Sequence, residues 1–76
     1  MLTAEQIRAG RALLRWEQRH LADQAGVSVP TLKRIEGGTG PVRGTYDNVS
    51  RIQTALESAG VEFTNGDEPG VKLRKG

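Results

Sequence analysis

The chain has 76 residues, no cysteine, one histidine and one each of Trp, Tyr and Phe, enough for a single small core and too little for a disulfide framework, a thiolate metal site or a histidine-built metal centre. Its formal charge of +2 is a weak basic excess, so binding to a polyanion would have to come from local clustering of Lys and Arg. No apolar run approaches the roughly 20 residues that span a bilayer, and the first residues lack the charged and apolar regions of a signal peptide, so a soluble, cytoplasmic protein with no membrane partner is expected.

The first helix is expected to start at Thr3, whose hydroxyl can cap it while Gln6 reaches back in a capping box. Ile7, Gly10, Arg11 and Leu14 then share one face. Arg11 therefore lies on the buried side, where its charge must find a partner or snorkel to water. A second helix runs through Leu21, Ala22 and Ala25, whose small alanines let a neighbouring helix approach closely. Gly26 falls where that helix ends, at a position that usually needs a left-handed backbone.

Ser28 is placed to cap a third helix, and Pro30 sits in its first turn, where the missing N–H breaks no intrahelical bond. Leu32 and Ile35 point inward while Lys33 and Arg34 point outward. The result is a helix-turn-helix whose second helix presents a basic face suited to a DNA major groove.

Gln18, Leu21, Ala22, Ala25, Gly26, Val27, Ser28, Thr31, Leu32, Ile35 and Glu36 together make this segment similar to the Cro/repressor-like helix-turn-helix family, also called the XRE family. The resemblance covers residues 3 to 58. It implies that Gln18 contacts DNA phosphate and that Ser28, Val29, Pro30, Thr31, Lys33 and Arg34 belong to the DNA-facing part of the recognition helix. It also implies a semi-buried ion pair between Arg11 and Glu36. Trp16 stands where the family usually has leucine and is read as a core plug between helices. Two positions depart from the pattern. Arg15 occupies a site often held by glycine, and Glu17 replaces the usual capping serine, a poorer cap whose charge opposes a nearby phosphate.

The stretch from Gly37 to Gly44 is dense in turn formers and reads as a flexible loop without a nucleotide-binding glycine pattern. In similar proteins this segment runs along the DNA backbone, which makes Thr39 and Arg43 candidate phosphate contacts. Thr45 is placed to cap a fourth helix with Val49, Ile52, Leu56 and Ala59 as its apolar stripe, Tyr46 at the edge of that packing and Gly60 as the stop. Residues 61–64 and 71–74 alternate apolar and polar around a turn cluster that includes Asn65 and Gly66, so they form a β-hairpin. The register expected pairs Val61 with Leu73 and Phe63 with Val71, and sets Glu62 opposite Lys72. All four apolar residues then share one face, which needs a cover. We expect Val61, Phe63, Val71 and Leu73 to form a homodimer contact, with an intramolecular lid as the alternative, and the basic end at Lys72, Arg74 and Lys75 to lie near DNA backbone or in solvent.

The expected fold class is therefore mainly α: a four-helix Cro/repressor-like domain over residues 1–60, followed by a C-terminal β-hairpin and basic tail over 61–76. Asp23, Asp47, Glu57 and Glu62 are dispersed and His20 has no partner to orient it, so no enzyme activity and no cofactor are expected. The function expected is that of a prokaryotic or phage-type transcriptional regulator, most simply a repressor, which binds a palindromic double-stranded DNA operator as a homodimer. An antitoxin-like DNA-binding protein with a protein partner, or an interaction module without DNA affinity, are the alternatives.

Overall fold

The computed structural model describes residues 2–64 and 67–74; Asn65, Gly66 and Lys75, named above, lie outside the described residues. Four helices and one antiparallel hairpin follow in chain order: α1 (Ala4–Leu14), α2 (Gln18–Ala25), α3 (Val29–Glu36), α4 (Tyr46–Ser58), β1 (Val61–Thr64) and β2 (Gly70–Leu73). Each helix boundary follows from its local sequence. Thr3 and Gln6 form a reciprocal capping box on α1, and Thr45 caps α4 by accepting from the Asn48 N–H. Ser28 caps α3 in the same way through the Thr31 N–H, with Pro30 in the first turn. Glu17 stands at the N-cap of α2 but makes no side-chain capping bond.

The two tight corners need a left-handed residue. Gly26 adopts φ 73° after α2, and Arg15 adopts φ 58° after α1. Glycine takes that conformation freely, whereas a residue with a Cβ is destabilised there by about 1 kcal/mol. Arg15 nevertheless closes α1 through its backbone N–H, which donates to the carbonyls of Ala12 and Arg11.

The core gathers Ile7, Leu21, Ala22, Ala25, Leu32, Ile35, Ile52, Leu56 and Val61 from all four helices and β1, with Leu2 from the segment before α1. Trp16 is half-buried at its edge, with its ring edge-on to His20 at 4.5 Å between centroids. Tyr46, expected at the edge of the α4 packing, is 88% exposed. At 3.6 residues per turn it lies roughly 120° around the helix from the buried Ile52, which carries it off the apolar stripe.

The hairpin has the register that the alternation pattern implies: Val61 opposite Leu73, Glu62 opposite Lys72 and Phe63 opposite Val71, with Thr64 opposite Gly70. Its apolar face is covered within the chain. Val61 is 1% exposed and packs in the core, β2 lies along α1, and Phe63 and Val71 are partly buried against the same cluster. The expected dimer surface of Val61, Phe63, Val71 and Leu73 is thus mostly an intramolecular contact, and Leu73 is the member that stays largely exposed. Gly10 makes the approach possible: a Cβ there would stand 3.3 Å from Val61 Cγ1.

Gln6, 3% exposed, locks the hairpin to α1. Its Nε2 donates to the carbonyls of Thr64 at 3.0 Å and Gly70 at 2.8 Å, while its Oε1 accepts from the Thr3 N–H at 2.9 Å. One side chain therefore satisfies two carbonyls at the closed end of the ladder and the N-cap N–H of α1. Gln6→Leu should destabilise the fold by about 2–3 kcal/mol, because it removes those partners from backbone groups with limited access to water. Urea unfolding checks this; a loss below about 0.5 kcal/mol would mean that water replaces the amide without penalty.

Candidate nucleic-acid interface

The interface is organised by a carboxylate at the end of α3. Glu36 is 2% exposed and accepts from three groups on two other helices. Arg11 on α1 grips it bidentately, with Nε at 3.2 Å from Oε2 and Nη2 at 3.0 Å from Oε1. Gln18, the first residue of α2, donates its Nε2 to Oε1 at 2.6 Å. The remaining Nη1 of Arg11 donates to the Trp16 carbonyl at 3.0 Å, which ties in the corner between α1 and α2. A buried charge is tolerated only when paired and hydrogen-bonded, and this one is both. The Arg11 and Glu36 pair inferred from the resemblance is present. Gln18 has one of its two amide N–H bonds committed inward, leaving the other for any outside acceptor.

On α3, Leu32 and Ile35 are buried while Lys33 and Arg34 are exposed, as the 3.6-residue period requires. Pro30 is exposed, but Val29 is half-buried against the core and only partly available to a ligand. Thr31 is half-buried, and its Oγ1 accepts from the Ser28 hydroxyl at 2.8 Å, so both hydroxyls serve the cap.

The glycine-rich loop between α3 and α4 is attached to the rest of the chain at several points. Backbone bonds splice it to the start of the chain: Ala4 N–H to the Gly40 carbonyl at 2.9 Å, Val42 N–H to the Leu2 carbonyl at 3.2 Å, with Thr3 bridging Pro41. Two side chains of α1 complete the attachment. The Glu5 carboxylate accepts from the Gly40 N–H at 2.9 Å, and Arg8 Nη1 donates to the carbonyls of Glu36 and Gly38. The Glu5 carboxyl is held below its ordinary value by its own backbone N–H, then by that of Gly40, with the nearby Arg8 charge adding to the effect. Because that value is lowered on folding, the contribution is present at neutral pH and is lost as pH falls through the folded value.

α3 and this loop enclose an open concavity of about 760 Å³, lined by Lys33, Arg34 and Ile35 of α3 and by Gly37, Gly38, Thr39, Pro41, Arg43 and Gly44 of the loop, together with Ala4. Among the described residues, three cations line it and no carboxylate does. Lys33, Arg34 and Arg43 make no ion pair among the described residues, whereas Arg51 is bound to Asp47 at 3.0 Å and Lys72 stands 3.8 Å from Glu62. Thr39 and Arg43 thus sit beside the basic face of α3.

Arg8, Glu5 and Gln6 are contributions that the sequence reading did not anticipate in these roles. Their partners are backbone groups between 28 and 64 residues away, and no local pattern encodes such contacts. Among the described residues no helix is long and apolar enough to cross a membrane. Comparison with models of known protein families and with curated proteins finds no match for this chain.

Removing either Arg11 or Glu36 leaves a buried charged or polar group without its partner, so Arg11→Met and Glu36→Leu should each destabilise by about 3–5 kcal/mol. The double variant should lose less than the sum, with a coupling of about 0.5–3 kcal/mol. Additive losses in a double-mutant cycle by thermal or urea unfolding would show that the pair contributes no mutual stabilisation.

Proposed function

We propose that this chain is a sequence-specific DNA-binding protein of the Cro/repressor-like helix-turn-helix kind, in which α3 enters the major groove. The observation that carries this reading is the convergence of Lys33, Arg34 and Arg43, all unpaired among the described residues, on one concavity without a carboxylate. An α-helix with its side chains is about 10–12 Å across, which matches the roughly 12 Å width of the major groove of B-DNA. Lys33 and Arg34 lie on the exposed face of α3, where long cationic side chains reach guanine edges or phosphates. Thr39, Arg43 and the loop amides take the backbone role, because they flank the helix instead of standing on it.

The sequence pattern from Gln18 to Glu36 supports the same reading, and so does the tight α2–α3 corner at Gly26. A homodimer on a palindromic operator, acting as a repressor, is part of the proposal. With Val61 withdrawn into the core, the exposed Leu13 and Leu73 are the large aliphatic side chains left for subunit contact.

Selection of bound duplexes from a random pool tests the reading, followed by anisotropy titrations on the enriched sequence. Two half-sites should emerge with centres roughly 34–36 Å apart. Lys33→Ala or Arg34→Ala should weaken binding by about 1–3 kcal/mol and relax one operator position where the side chain reads a base. Arg43→Ala should weaken binding to all sequences alike and lower the salt slope by about one. No enrichment, together with no salt-dependent binding to any duplex, would refute the proposal and favour a protein-interaction module.

A further inference from the structure

We propose that Arg8 and Glu5 of α1 are positioning residues for DNA binding: they hold the loop that carries Thr39 and Arg43 in its binding conformation without touching DNA themselves. This inference rests on the functional reading above and adds to it a device outside the α2–α3 segment. The loop between Glu36 and Thr45 contains glycines at 37, 38, 40 and 44, the residues with the most backbone freedom to lose on ordering. Most of it lacks packing of its own. Gly37, Gly38, Thr39, Pro41, Arg43 and Gly44 are all exposed, and the space beside Gly38 and Gly40 is empty to 4 Å. Its order therefore depends on its attachments to the start of the chain.

Those attachments have a division of labour. Arg8 Nη1 binds two carbonyls of the chain as it leaves α3, those of Glu36 and, two residues on and at 2.7 Å, Gly38. A cation at that point also suits the negative end of the helix dipole. Glu5 takes the Gly40 N–H at 2.9 Å, one residue before the backbone bridge to Thr3 begins. The two anchors bracket Thr39. Arg43 follows shortly after the bridge, at the rim of the basic concavity.

The charges argue against a direct role for Glu5. A carboxylate repels phosphate, so Glu5 belongs at this surface only as a holder of backbone. Arg8 differs from Lys33, Arg34 and Arg43 in being half-buried and already bound to protein carbonyls. A loop ordered before binding spares the complex the entropy of ordering it then, and that difference appears as affinity.

The test uses the full chain with Arg8→Ala, Arg8→Lys and Glu5→Ala, which removes the acceptor for the Gly40 N–H, measured on the duplex enriched from the random pool. Arg8→Ala and Glu5→Ala should each weaken binding by about tenfold while leaving the salt slope unchanged, since neither residue neutralises a phosphate. Arg8→Lys should recover part of the loss. Hydrogen exchange at the Gly40 and Val42 amides, which donate to Glu5 and to the Leu2 carbonyl, should speed up in the free Arg8→Ala and Glu5→Ala variants, while the core amides of α2 and α4 keep their protection.

Wild-type affinity in variants whose loop exchanges faster would overturn the inference and leave the functional reading standing. So would a fall in salt slope of about one in Arg8→Ala, which would make Arg8 a phosphate contact. If Arg8→Ala loses core protection as well, Glu5→Ala decides, because Glu5 is exposed and its loss opens no core. Failure of the unaltered chain to bind any duplex refutes the functional reading and the inference with it.

Discussion

The arrangement depends on one buried carboxylate. Glu36 closes α3, and its oxygens are occupied by Arg11 from α1 and Gln18 from α2. Desolvating a carboxylate is unfavourable by several kcal/mol unless its partners are in place, so the orientation of α3 against the other two helices is tightly specified. An aliphatic residue at this point would fill the space but would not define a direction. The bidentate guanidinium does, because its planar fork fits the carboxylate in one geometry. Lys33 and Arg34 take their outward direction from the helix that this contact fixes.

A second constraint is size. Seventy-six residues with few aromatics bury little apolar area, and the chain compensates by folding its last segment back over its first helix. Val61 enters the core, Gly10 lets it approach, and Gln6 secures the closed end of the hairpin through two carbonyls. The same first helix secures the loop after α3 through Glu5 and Arg8. Thus α1, which carries no residue of the basic face of α3, is the scaffold on which both the hairpin and the loop are mounted.

What could be read from the sequence was the periodic and the local. Caps at Thr3, Ser28 and Thr45, the left-handed corner at Gly26, the faces of α3 and the hairpin register all follow from residue type and spacing over a few positions. Tyr46 was misplaced because an apolar residue near the start of a stripe reads as part of it, although its angle around α4 carries it into solvent. The attachments of the loop are not legible for a related reason: glycine content reports conformational freedom, while Glu5 and Arg8 meet backbone far away in the chain. The hairpin showed that it needed a cover but not which surface supplied it, since alternation reveals one apolar face and says nothing about its partner.

We propose that α3 and the following loop form one continuous DNA-binding surface. Its most direct measurement is an amide and side-chain NMR titration of the isotopically labelled chain with the duplex enriched by selection. We predict that perturbations concentrate at Ser28 to Arg34, Thr39 and Arg43, with little change at the core of α4. Perturbations confined to Leu13, Leu73 and the outer face of α4, with α3 and the loop unmoved, would contradict it.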